Sequence, residues 1–159
     1  MDFNAAFTAL IGNEGGYSNN PADPGGETMW GITARVARAW GYMGPMKDLP
    51  LDTAKRIAKD SYWTPVHADE LPDVVRFDVF DTAYNSGVHE AIVLLQRAMG
   101  LAADGFFGPA TTAAMQSWNP EWLRRAFNAA RLDFMTALDA WPTFGKGWVR
   151  RVAANLRRV

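Results

Sequence analysis

The sequence predicts an all-helical, single-domain fold, and three observations carry that expectation. Apolar residues recur at three- and four-residue spacing in successive segments, and glycine, proline or a short polar capping residue brackets each segment. No apolar–polar alternation persists for the length of a strand, so at most a small irregular hairpin is expected, near residues 17–31. A length of 159 residues, 48% of them apolar, suits one domain with a real core.

Asp2 can cap a first helix whose Phe3, Phe7, Leu10 and Ile11 form one stripe, with Gly15-Gly16 as its stop. Thr33 can cap a short second helix that runs to Trp40 and halts at Gly41. Asp48 or Pro50 opens a third, in which Ala54, Ile57, Ala58 and Tyr62 keep the period until Pro65. Pro72 starts the next, which ends at Asn85-Ser86-Gly87, and another spans about His89 to Met99 before Gly100. Asp104-Gly105 makes a tight turn, and Pro109 begins a helix that Thr111 and Thr112 help to seat. Asn119-Pro120 caps the longest helix, whose Leu123, Ala126, Phe127, Ala130, Phe134 and Leu138 trace the expected central stripe until Pro142. Gly145 to Trp148 then leads into a last helix with Val149, Val152, Ala153 and Leu156 opposite Arg150, Arg151, Arg157 and Arg158.

The stretch from Glu14 to Thr33 obeys different rules. Its glycines and prolines forbid a regular helix, yet it carries the carboxylates of Glu14, Asp23 and Glu27 and the hydroxyl of Thr28. On the last turn of the first helix, Glu14 would face the negative end of the helix dipole beside an apolar stripe, and both raise a carboxyl's pKa. A carboxylic acid that keeps its proton near neutral pH is what protonation of a glycosidic oxygen requires. A solvated helix-end glutamate is the plainer reading of the same residue. Asp78 and Asp81 fall inside a largely apolar helix, where they are costly unless paired.

Glu14-Gly15-Gly16-Tyr17, followed by Asn19-Asn20-Pro21, Asp23-Pro24-Gly25-Gly26-Glu27-Thr28 and Gly31-Ile32-Thr33, resembles the signature of glycoside hydrolase family 108. These are the N-acetylmuramidases of phage endolysins and of bacterial proteins once called secretion activators. The resemblance implies a lysozyme-like architecture and hydrolysis of the β-1,4 bond between N-acetylmuramic acid and N-acetylglucosamine, with Glu14 as general acid. Phage-type lysozymes place a Glu, an Asp and a Thr at fixed intervals. Glu14 and Asp23 keep the first interval, whereas Thr28 comes one residue early for the second and leaves Thr33 as a spare. Asp23 is then the expected second carboxylate with Glu27 as understudy, and Thr28 the residue that orients water. Tyr17, Glu27, Trp30, Tyr62, Trp63 and Asn85 are the candidate substrate contacts. For the aromatic residues, sugar stacking and core filling both stay open.

Asp81, Asn85 and Gly87 resemble an Asp-x-x-x-Asn-x-Gly stretch that recurs in murein-degrading enzymes. Local capping by Asp81 and Asn85 is equally open. Leu95-Gln96, Gly100, Asp104-Gly105 and Gly108-Pro109-Ala110-Thr111 are similar to a peptidoglycan-binding repeat. The expected organisation is one muramidase domain over residues 1–159, in which residues 1–86 are catalytic and residues 87–159 are helical and peptidoglycan-binding-like, without a linker.

Composition narrows the alternatives. There is no cysteine and only two histidines, so neither a disulfide framework nor a thiolate or histidine metal site is expected, and no cofactor is called for. Acidic residues dominate up to residue 96 and basic ones beyond it, which makes an anionic envelope surface a candidate partner for the C-terminal arginines besides peptidoglycan strands. Nucleic-acid binding is not expected, because no aromatic platform interleaves the arginines. A monomer is expected. With no basic n-region and no apolar run of about 20 residues, the N-terminus does not read as a signal or span. The expected route is synthesis in the cytoplasm and action in the periplasm or cell wall after holin-type or dedicated export. A lytic transglycosylase and a non-catalytic peptidoglycan-binding or secretion-helper protein are the alternative functions.

Overall fold

The computed structural model describes residues 1–12, 16–19 and 26–158. The chain divides into two compact units, residues 1–65 and 66–159.

In the first unit, Asp2 caps α1 (Phe3–Ile11) by accepting the Ala5 N–H at 2.8 Å. The helix closes at Gly12, whose N–H bonds Thr8 O and whose φ of 52° takes the positive value glycine tolerates. It therefore ends before the Gly15-Gly16 stop expected from sequence, because the first available glycine ends it. Thr28–Met29 (β1) and Ile32–Thr33 (β2) pair antiparallel, Thr28 opposite Thr33, and Ser18 adds one further bridge to Thr28. Thr33 caps α2 (Ala34–Trp40) by accepting the Val36 N–H, and Gly41 closes that helix in the left-handed conformation. After a 3-10 turn at Met46–Asp48 comes α3 (Leu51–Ala58), which runs on into a π-helical turn, Lys59–Trp63. Phe7, Ile32, Met46, Ile57 and Trp63 are fully buried and form this unit's core.

In the second unit α4 (Asp73–Ser86), α5 (Val88–Ala98), α6 (Pro109–Ser117), α7 (Pro120–Thr136) and α8 (Trp141–Leu156) follow one another. α4 packs against α5, α7 and α8. It buries Val75, Val79, Phe80 and Ala83 on several sides, so α4 and not α7 is the enclosed helix. α5 contributes Leu94 and Leu95, and α7 contributes Leu123 and Phe127.

The last helix begins at Trp141, earlier than the glycines at 145 and 147 suggest. Pro142 sits in its first turn, where a missing N–H costs nothing, so it starts this helix rather than ending the previous one. Gly145 is tolerated inside the helix because the Trp141 ring lies over it: a Cβ there would meet that ring at 2.7 Å. Gln96 ties the turn between α5 and α6 together. Its Nε2 donates to Asp104 Oδ1 at 2.7 Å, Phe106 O and Thr111 Oγ1, and its Oε1 accepts the Gly105 N–H at 2.9 Å. No described helix is long and apolar enough to cross a membrane.

Candidate active site

Glu14 and Asp23 lie outside the described residues. The residues around them that are described form a small, tied framework. The Tyr17 hydroxyl donates to Glu27 Oε1 at 2.8 Å. That hydrogen bond, together with a lesser effect of burial, raises the pKa of Tyr17 and keeps it a donor. Glu27 O accepts the Ala34 N–H at 2.8 Å, so the carboxylate stands where the hairpin joins α2. Thr28 and Thr33, the two candidate threonines, face each other on the ladder. Only Thr33 has its hydroxyl engaged as the α2 cap.

The hairpin turn is Trp30-Gly31, with φ of 56° and 77°. Positive φ at both central residues is what a tight two-residue hairpin of right-handed twist demands. For tryptophan this backbone is strained by about 1–2 kcal/mol. The strain is offset by the indole: Nε1 donates to Leu49 O at 2.9 Å, which fixes the half-buried ring against the 3-10 turn.

Tyr62 and Trp63 separate in role. Tyr62 is half-buried, and burial raises its pKa although Arg35 opposes the shift. Trp63 is fully buried and meets Phe3 edge-on, with ring centroids 5.4 Å apart and planes at 74°. The expected sugar-stacking role therefore does not fit Trp63. The π-helical turn rotates its ring into the core, which a regular α-helical reading of this stretch does not show. Such turns occur often at functional sites, and here Tyr62 is the ring left partly open by it.

Asn85, the last substrate candidate, belongs to the second unit. Its Nδ2 donates to Asp81 O at 2.6 Å and approaches Asp81 Oδ1 at 3.3 Å. Its amide N–H groups thus serve its own helix, the capping alternative of the sequence reading. Beneath it lies a charge network. Asp81 accepts from Arg131 Nη2 at 2.7 Å, Arg151 Nη2 at 2.6 Å and Nε at 2.8 Å, and Asn155 Nδ2 at 2.8 Å. Burial alone would raise the Asp81 pKa, but the two guanidiniums outweigh it and hold the carboxyl below its usual range. At Asp78 burial wins and raises the pKa, although Arg124, donating from Nε at 3.0 Å, and to a lesser extent Asn128 and Arg131 oppose it. These are the aspartates that are costly unless paired, and their partners lie far from them in sequence. The available signal was Arg131, which interrupts the apolar stripe of α7 midway between Phe127 and Met135. Among the described residues no three His, Cys, Asp or Glu side chains converge as metal ligands do.

Residues 7–87 match the family model described as Glycosyl hydrolase 108, and residues 90–153 match one described as Predicted Peptidoglycan domain. The structure of SagA from Brucella abortus superposes with a TM-score of 0.90 at 35% identity, covering 97% of this chain and 91% of that one. The chain belongs to the glycosyl hydrolase 108 family. No curated protein matches it. As a family 108 member it is a glycoside hydrolase that degrades peptidoglycan, built on a mainly helical, lysozyme-like fold. The first model covers the whole Glu14–Thr33 stretch, and the second begins within α5.

Proposed function

We propose that the protein is an N-acetylmuramidase that cleaves the β-1,4 bond between N-acetylmuramic acid and N-acetylglucosamine, with Glu14 as general acid. The observation that carries this reading is the family match over residues 7–87, which includes the Glu-Gly-Gly-Tyr sequence at Glu14. Glu14 gives its proton to the glycosidic oxygen as the bond from that oxygen to the muramic acid C1 breaks. Asp23 stabilises the positive charge on the sugar or takes the proton from the water that adds to C1, and Thr28 orients that water. The Tyr17–Glu27 hydrogen bond supports a positioning role for Glu27, because a carboxylate already held by a phenol is fixed in place. Trp30 and Tyr62 are the rings proposed to meet the sugar.

The test is mass spectrometry of murein fragments released by wild type and Glu14→Gln. Reducing N-acetylmuramic acid ends are expected from wild type, and a rate at least about 100-fold lower from the variant. Ends in the 1,6-anhydro form would make the enzyme a lytic transglycosylase. A loss of only a few-fold would remove Glu14 from the role of acid.

A further inference from the structure

The last helix of the second unit, α8, has two unlike sides. Gly145, Val152 and Asn155 are buried against the unit's interior, and Arg151 and Asn155 tie the helix to Asp81. At 3.6 residues per turn, Lys146, Arg150 and Arg157 fall on the opposite side, within about 40° of arc of one another. All three are exposed, and none forms an ion pair or ring contact among the described residues. The other arginines of this segment are spent, Arg151 on Asp81 and Arg158 over the Phe77 ring at 4.7 Å from its centroid. From Ala140 to Arg158 there is no aspartate or glutamate to offset the stripe. Beside the cations run Val149, Ala153 and Leu156, four and three residues apart, with Val149 42% and Leu156 45% exposed. An apolar strip bordered by unpaired cations is the pattern of a helix that lies in the boundary between lipid and water.

We propose that this outer face of α8 docks on an anionic phospholipid bilayer. Lys146, Arg150 and Arg157 meet the lipid phosphates, each contributing about fivefold in affinity near such a surface. Val149 and Leu156 enter the edge of the acyl chains and gain by leaving water. A linear polyanion such as a nucleic acid would use the cations but leave the apolar strip in water, and the strip holds no aromatic ring on which a base could stack. Charge and strip together therefore fit a bilayer better. The residues that face the interior keep their partners, so docking needs no unfolding of the second unit. The inference does not depend on which glycosidic bond is cleaved. It goes beyond the reaction by placing the enzyme at the lipid side of the peptidoglycan layer it degrades.

The test is sedimentation of wild-type protein with phosphatidylcholine vesicles, with and without about one-third phosphatidylglycerol, at about 0.1 M salt. Binding to the anionic vesicles at least about 10-fold tighter than to the neutral ones is expected, and about 0.5 M salt should largely abolish it. Arg150→Gln with Arg157→Gln should weaken binding about 10- to 30-fold, the loss of two cations at the surface. Lys47→Gln with Arg97→Gln removes the same net charge from exposed positions elsewhere and should change binding less than about 3-fold. Val149→Ala with Leu156→Ala should weaken vesicle binding about 3- to 10-fold and leave heparin binding unchanged. Matching circular dichroism melts for the three variants exclude unfolding as the cause. Equal losses in the two charge variants, binding that ignores the charge of the lipid, or no binding at all overturns the proposal. So does vesicle binding untouched by the Val149 and Leu156 changes, which makes the face a site for linear polyanions. Each of these results leaves the muramidase reading standing, because the murein assay of Glu14→Gln contains no lipid.

Discussion

Replacing Asp81 by asparagine removes the single negative charge that Arg131 and Arg151 share, and the structure sets the size of the loss. Arg151 keeps 38% of its side chain exposed and can turn to water once released. Arg131, with 0% exposure, cannot, so one guanidinium is left buried without its ion-pair partner and with only the weaker attraction of Asp78 to offset it. Breaking a buried pair on one side costs about 3–5 kcal/mol, and the escape of Arg151 puts the expectation near 3. For a chain of this length, that corresponds to a Tm lower by roughly 6–12 °C. Urea unfolding followed by circular dichroism measures it, with Glu70→Gln as the comparison. Among the described residues Glu70 pairs with His67, at a surface where both side chains are well exposed, and its loss should stay within about 0.5 kcal/mol. An Asp81→Asn penalty below about 1 kcal/mol would refute the view that this carboxylate holds the helices of the second unit together.

The two buried aspartates should respond to acid with opposite signs. Asp81, with its folded pKa depressed, contributes stability that is present above the unfolded value of about 3.9 and lost as pH falls through the folded one. Asp78, with its folded pKa raised, destabilises at neutral pH and is relieved as pH falls through that value. The stability gap between wild type and Asp78→Asn should therefore shift in favour of wild type from pH 7 toward 4, and the gap to Asp81→Asn should shrink below about pH 4; urea titrations at stepped pH read both. Gly105→Ala should cost about 1–3 kcal/mol in the same unfolding assay, since φ is +71° there and the added Cβ would lie 2.1 Å from the His89 ring. Trp63→Phe should lower stability by about 1–3 kcal/mol while leaving KM for murein unchanged, because the ring is fully buried; a raised KM at unchanged kcat would return Trp63 to the substrate.

Local chemistry was well legible in the chain. The caps at Asp2, Thr33 and Asn119 and the stop at Gly41 are decided by a few neighbouring backbone groups, and the helices stand where those residues put them. The signature from Glu14 to Thr33 disclosed the family through residue types alone. What required three dimensions was less accessible. Pro142 begins a helix because Trp141 ahead of it already starts the turn, and Gly145 stays inside that helix under the Trp141 ring, a contact no periodicity records. Trp63 and Tyr62 are adjacent in sequence, yet one is enclosed and the other partly open, because a π-helical turn changes the angle between them. Arg131 looks like an interruption of an apolar stripe until Asp81, fifty residues earlier, is seen to face it.

The reach of that aspartate has a consequence for how the protein comes into being. Asn155 and Arg151, two of its partners, are separated from it by 74 and 70 positions along the chain. During synthesis, α4 leaves the ribosome seconds before the last helix does, carrying a carboxylate that lacks two of its donors. The nascent second unit must hold that charge near water, or bury it at a cost, until its final turns emerge. Completion of the C-terminal helix is thus the step that licenses the closing of the core, and messages cut short before it should yield chains that proteases remove.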